Sequence, residues 1–91
     1  PMFGDYIKNM QTLGKRKETF HIIFADAPYH MEDAIDRLLE QVVLNDLLKK
    51  QGRLFIENDS KLKDNLDLHA LQHVNSRKSG KAYLHQFMRV E

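Results

Sequence analysis

Apolar residues recur along this chain with a changing period. From residue 5 to 14, Tyr6, Ile7, Met10 and Leu13 fall at helical spacing, which predicts a short helix closed by Gly14. Lys15-Arg16-Lys17-Glu18 reads as a charged connector. Thr19 to Phe24 is β-prone, with apolar residues at successive positions. That pattern predicts a strand covered on both faces, as in a parallel sheet between helices. Met31, Ala34, Ile35, Leu38, Leu39, Val42 and Val43 step by three and one, and Leu47 and Leu48 prolong the stripe. A helix is therefore expected over residues 31–50. Glu32 and Asp33 in its first turn and Lys49 and Lys50 in its last suit the helix dipole, with Gly52 as the stop. Leu54-Phe55-Ile56-Glu57 predicts a second strand, so strand, helix and strand make one right-handed parallel crossover. Polar residues 58–65 predict a loop, and Leu66, Leu68 and Leu71 a short helix. Residues 72–78 and 81–90, joined by Ser79-Gly80, read as a hairpin. In its return strand Ala82, Leu84, Met88 and Val90 form an apolar face interrupted by Gln86. Tyr83, His85, Phe87 and Arg89 form a mixed face.

Composition narrows the function. At 91 residues the chain holds one small domain. A net charge of +1 gives no global field towards nucleic acid or membrane, so any RNA contact must come from local clusters. Two exist, Lys15-Arg16-Lys17 and Arg77-Lys78-Lys81, and either could touch RNA phosphate. The absence of cysteine excludes a disulfide framework and a thiolate zinc site. No apolar run approaches the ~20 residues that cross a bilayer. The first residues lack a signal-peptide pattern, and a cytoplasmic location is expected. His69 and His73, four apart, could share a helix face, but a third ligand is missing and no metal site is expected. Glu32, Asp33 and Asp36 read as a solvated helix face.

The candidate chemistry lies in Phe20-His21-Ile22-Ile23-Phe24-Ala25-Asp26-Ala27-Pro28-Tyr29-His30. Its apolar run stops at Asp-Ala-Pro-Tyr, so a strand delivers an acceptor, a rigid turn and an aromatic ring to its carboxyl end. Open α/β sheets bind their ligands there.

Three segments in order, "FHIIFADAPYH", "LLEQVVLNDLLKKQGRLFIENDS" and "SRKSGKAYLHQFMR", resemble the carboxyl-terminal half of the RsmD family. That family consists of class I S-adenosylmethionine-dependent enzymes that methylate the exocyclic amine of a guanine in 16S ribosomal RNA. The resemblance covers residues 5 to 90. It implies an α/β fold: the carboxyl-terminal half of a Rossmann-like methyltransferase sheet, with parallel strands and a terminal antiparallel hairpin. It also implies that the Asp26 carboxylate and the Ala27 carbonyl, held by Pro28, accept hydrogen bonds from the amine while Tyr29 stacks on the flipped base. Arg77, Lys78 and Lys81 of the basic hairpin would meet RNA. Ala27 stands where the family has proline, which keeps the carbonyl but loosens the backbone.

The implied partners are ribosomal RNA or the small ribosomal subunit, and the cofactor is S-adenosylmethionine. No Gly-x-Gly-x-Gly turn is present, so these residues alone are expected to bind the cofactor weakly and to be a part of a larger enzyme. The strand at 19–25 would then have an open edge through which the chain self-associates. The alternative reading is a small non-enzymatic α/β module that binds RNA or a protein partner.

Overall fold

A computed structural model of the protein describes residues 3–27 and 33–90. Helix α1, Phe3–Lys15, buries Met10 and partly buries Ile7 and Leu13 at the expected spacing. It does not stop at Gly14. Lys17, in left-handed backbone (φ 58°), closes it instead. The Glu18 N–H donates to the Leu13 carbonyl at 3.1 Å and the Lys17 N–H to the Gly14 carbonyl at 3.0 Å, the paired bonds of a Schellman turn. Gly14 serves close packing: a Cβ there would lie 2.7 Å from the Asn45 Cβ.

Strand β1, Phe20–Asp26, leads through residue 27 towards helix α2, Ala34–Leu44. Ala34, Ile35, Leu38, Leu39 and Val42 of α2 are buried. The helix is shorter than the predicted 31–50, of which residues 31 and 32 lie outside the described residues. It ends at Asn45-Asp46, where Asp46 takes left-handed backbone (φ 51°). Leu47 N–H donates to Val42 O at 3.0 Å and Asp46 N–H to Val43 O at 3.1 Å, repeating the closure of α1. Short polar side chains tolerate this conformation, so the chain turns before the apolar stripe runs out. Leu47 and Leu48 then enter strand β2, Leu48–Asn58, much longer than the predicted 54–57.

Gly52 is a bulge residue of β2. Phe20 pairs with Leu48 but Ile22 with Arg53, so β2 carries surplus residues in between. A Cβ on Gly52 would meet the Lys49 carbonyl oxygen at 2.7 Å and that of Phe20 at 3.1 Å.

No helix forms over residues 66–71. His69 and Ala70 are left-handed (φ 50° and 72°), and the Asp67 carboxylate accepts the His69 N–H at 2.8 Å. That side-chain bond competes with the helical one. The hairpin forms as predicted: β3, Leu71–Ser79, pairs antiparallel with β4, Ala82–Arg89, around Gly80 (φ 61°).

The sheet order is β1-β2-β4-β3, with β1 and β2 parallel and both β4 pairings antiparallel. This is a mixed, partial Rossmann-like α/β arrangement. Leu54, Ile56 and Phe87 of the sheet join Met10 and the buried residues of α2 in one core. The opposite face of the sheet is bare among the described residues. On β1, Ile23 and Ala25 turn towards the helices, whereas Ile22 is 58% and Phe24 71% exposed. The expectation that β1 is covered on both faces therefore fails in this chain. The β4 faces are also reversed from a hydropathy reading. His85 and Phe87, on the mixed face, are fully buried, while Leu84, Gln86 and Met88 are half-buried on the open face.

Candidate functional site at the carboxyl rim of the sheet

Alternation along β1 places Phe24 and Asp26 on the open face, and both are exposed. Asp26 is the last residue of the strand. Ala27 turns inward and is 3% exposed, and its N–H donates to the Glu57 carbonyl at 2.9 Å. That bond extends the pairing one step past β1 and fixes the backbone where Asp26 leaves the sheet. Pro28 and Tyr29, the other two predicted site residues, lie outside the described residues.

Strand pairing brings further side chains beside Asp26. Asp26 pairs with Glu57, Glu57 with Leu84, and Leu84 with Arg77, so these residues form one row on one face. Phe24, Ala25, Asp26, Glu57 and Leu84 line an open cleft of about 270 Å³. One row back, Phe24 stacks on Phe55 with ring centroids 4.7 Å apart. Two carboxylates directly opposite one another oppose folding, because like charges on paired strands repel. The arrangement suits a ligand that donates hydrogen bonds or gains positive charge.

In the sequence Glu57 only ends a short apolar run. Nothing local marks it, because its partner is 31 residues away and the register decides their proximity.

The two basic clusters separate. Lys15, Arg16 and Lys17 lie before β1 at its amino end, the pole opposite Asp26. Arg77 and Lys78 straddle β3. Arg77 pairs with Leu84 on the open face, whereas Lys78 pairs with Tyr83 on the helix-side face, its Nζ 5.7 Å from the Tyr83 ring centroid. Lys81 is in the hairpin turn. His69 and His73, which could have shared a helix face, also separate: His69 Nε2 meets Asp36 Oδ1 at 3.1 Å, and His73 Nε2 meets Ser76 Oγ at 2.8 Å. Asp36 thus serves His69, while Glu32 lies outside the described residues.

A buried hydrogen-bond chain supports the rim from behind. His85 Nε2 lies 2.9 Å from both Asn58 Oδ1 and the Ser60 carbonyl. The Ser60 N–H also donates to Asn58 Oδ1, which fixes that amide. Both partners of Nε2 accept, so Nε2 carries the hydrogen. Nδ1 then accepts from Ser76 Oγ at 2.7 Å, and Ser76 Oγ accepts from His73 Nε2. Burial lowers the His85 pKa below 6.5. The Ser60 carbonyl opposes that shift, and a charge on His73 adds to it. Neutral His85 ties β4 and β3 to the end of β2, one residue beyond Glu57.

The family described as conserved hypothetical protein 95 matches residues 2–88. The chain is a member of that family. Among solved structures this conserved hypothetical protein 95 member is similar to a proposed methylase of Haemophilus influenzae, with 18% identity and a TM-score of 0.65. The match covers 81% of this chain and 45% of that one. It is similar to the proposed methyltransferase yhhF of Escherichia coli, with 14% identity and a TM-score of 0.63, over 88% of this chain and 44% of that one. A hypothetical protein of Thermus thermophilus matches with 19% identity and a TM-score of 0.61, over 85% of this chain and 40% of that one. No curated protein matches the chain significantly. The chain spans less than half the length of each of these structures. At such identities the likeness shows the fold: the family member forms part of a methyltransferase-like α/β sheet.

Proposed function

We propose that this chain supplies the substrate-facing part of a cytoplasmic enzyme. The enzyme moves a methyl group from S-adenosylmethionine to the exocyclic amine of a guanine in 16S ribosomal RNA, as free RNA or within the small subunit. The observation that carries this reading is the exposed Asp26 at the carboxyl rim, paired across strands with Glu57 and lining an open cleft. The names of the similar methylase structures and the family resemblance support it.

An exocyclic amine is a poor nucleophile because its lone pair is delocalised into the ring. Asp26 accepts a hydrogen bond from one N–H and orients the nitrogen, and the Ala27 carbonyl accepts from the other. Pro28 and Tyr29 would complete the cradle, Tyr29 by stacking on the base. Glu57 adds a second negative group where the nitrogen gains positive charge as its bond to the methyl carbon forms and the methyl–sulfur bond breaks, releasing a neutral thioether. The amine then gives up one proton, which the Asp26 carboxylate can take.

The described residues do not fit S-adenosylmethionine itself. Gly4 and Gly14 lie within α1, Gly52 within β2 and Gly80 at the hairpin tip, so none forms a turn from a strand into a helix. In this reading the cofactor, which would supply the electrophilic methyl group, is held by residues other than the described ones.

The test is to incubate the full-length gene product with methyl-labelled S-adenosylmethionine and unmodified small subunits or 16S RNA. Label recovered as N2-methylguanine supports the proposal. Label on another atom, or on no nucleoside, contradicts it. A second reading, a non-enzymatic module that binds RNA or a protein partner, draws on exposed Ile22 and Phe24 on the edge strand β1. It expects no label.

A further inference from the structure

We infer that Arg77, and not its neighbour Lys78, grips an RNA phosphate beside the target nucleotide. The inference rests on the RNA reading above and assigns a positioning residue to it. The two cations are adjacent in sequence but β3 is extended, so their side chains leave opposite faces of the sheet.

Three observations choose between them. First, the row Asp26, Glu57, Leu84, Arg77 places the Arg77 side chain on the face that opens onto the cleft. Three strand spacings separate its ends, about 14 Å at ~4.8 Å each. Second, Lys78 is on the helix-side face, where its ammonium is engaged over the Tyr83 ring at 5.7 Å. Tyr83 in turn stacks on buried His85 with ring centroids 5.8 Å apart. Third, charge orders the row. The carboxylates of Asp26 and Glu57 repel a phosphate at one end, and half-buried Leu84 separates them from the guanidinium at the other.

A nucleotide whose amine meets Asp26 must therefore run its backbone away from the acidic end. The row offers that backbone a cation on β3. A guanidinium suits this place, since its planar fork donates two parallel hydrogen bonds to one phosphate. Arg77 touches no reacting atom, so it acts by fixing register along the strand of RNA.

The experiment measures binding of a short single-stranded RNA to the chain by fluorescence anisotropy over a range of salt concentrations. Arg77→Gln should weaken binding about fivefold at low salt and reduce the salt slope by about 0.7, one phosphate contact on a single strand. Arg77→Lys, which keeps the charge but not the fork, should keep the salt slope and recover part of the affinity. Lys78→Gln should leave affinity and slope unchanged. If the unaltered chain binds RNA and Arg77→Gln leaves binding unchanged, or Lys78→Gln weakens it equally, this assignment fails while the RNA reading stands. If the unaltered chain binds no RNA, the RNA contact fails and this assignment with it.

Discussion

At the scale of single residues, a buried histidine and an exposed aspartate carry the account, and they differ in how visible they are in the sequence. Asp26 stands out because it interrupts an apolar run at a strand end. His85 does not, because it is one of five histidines and alternation alone leaves it on a mixed face. Only pairing with Ser76 and Asn58, nine and 27 residues away, shows that it is enclosed. Its folded pKa lies below the 6.5 of the unfolded chain, chiefly because burial disfavours the charged ring. Between those two values the unfolded chain binds more protons, so stability rises with pH there. The contribution is complete above about pH 6.5 and is lost as the pH falls towards the folded pKa. Urea midpoints of the native chain should drop on acidification through this window. The drop should be smaller in His85→Gln, which cannot take the proton. Equal pH dependence in both chains would remove His85 from the account.

At the scale of elements, the crossover and the hairpin follow from hydrophobic period and turn chemistry, whereas the helix ends do not. Glycine is the ordinary signal for a left-handed stop, yet Lys17 and Asp46 occupy those positions. The glycines expected to act as stops, Gly14 and Gly52, are instead where backbones approach closely. Leu47 and Leu48 continue a helical stripe in sequence while belonging to the core from a strand entry, since both are buried either way. Hydropathy cannot separate these cases, because burial is the same and only the backbone differs. Gly14→Ala tests the point. An alanine inside a helix usually gains about 1 kcal/mol over glycine. Here its Cβ would fall 2.7 Å from the Asn45 Cβ and 2.9 Å from Asn45 Oδ1. Asn45 is pinned by its own bond to the Gln41 carbonyl at 2.8 Å, so it cannot swing aside freely. The variant should lose about 1 kcal/mol or more by overpacking, read as a lower urea midpoint. A raised midpoint would show that the α1–α2 contact is looser than described.

At the scale of the molecule, the helices cover one face of the sheet and leave the other open, with Phe24 stacked on Phe55 in plain view. A continuous apolar run in β1 signals a strand made to be covered on both faces. The second cover is absent among the described residues, and the chain spans 40 to 45% of the similar structures' length. The apolar run of β1 therefore exceeds what the helices cover among the described residues. The same geometry explains why the rim site is only half legible. Asp26 is named by its place at a strand end, but Glu57 and Arg77 join it only once the order β1-β2-β4-β3 is known. The carboxylate at the rim is the group on which the proposed chemistry turns. Its most direct test is Asp26→Asn in the full-length gene product, assayed for methyl transfer to 16S RNA with S-adenosylmethionine binding measured alongside. Turnover should fall about a hundredfold or more with cofactor affinity unchanged. Turnover equal to that of the unaltered protein would contradict it.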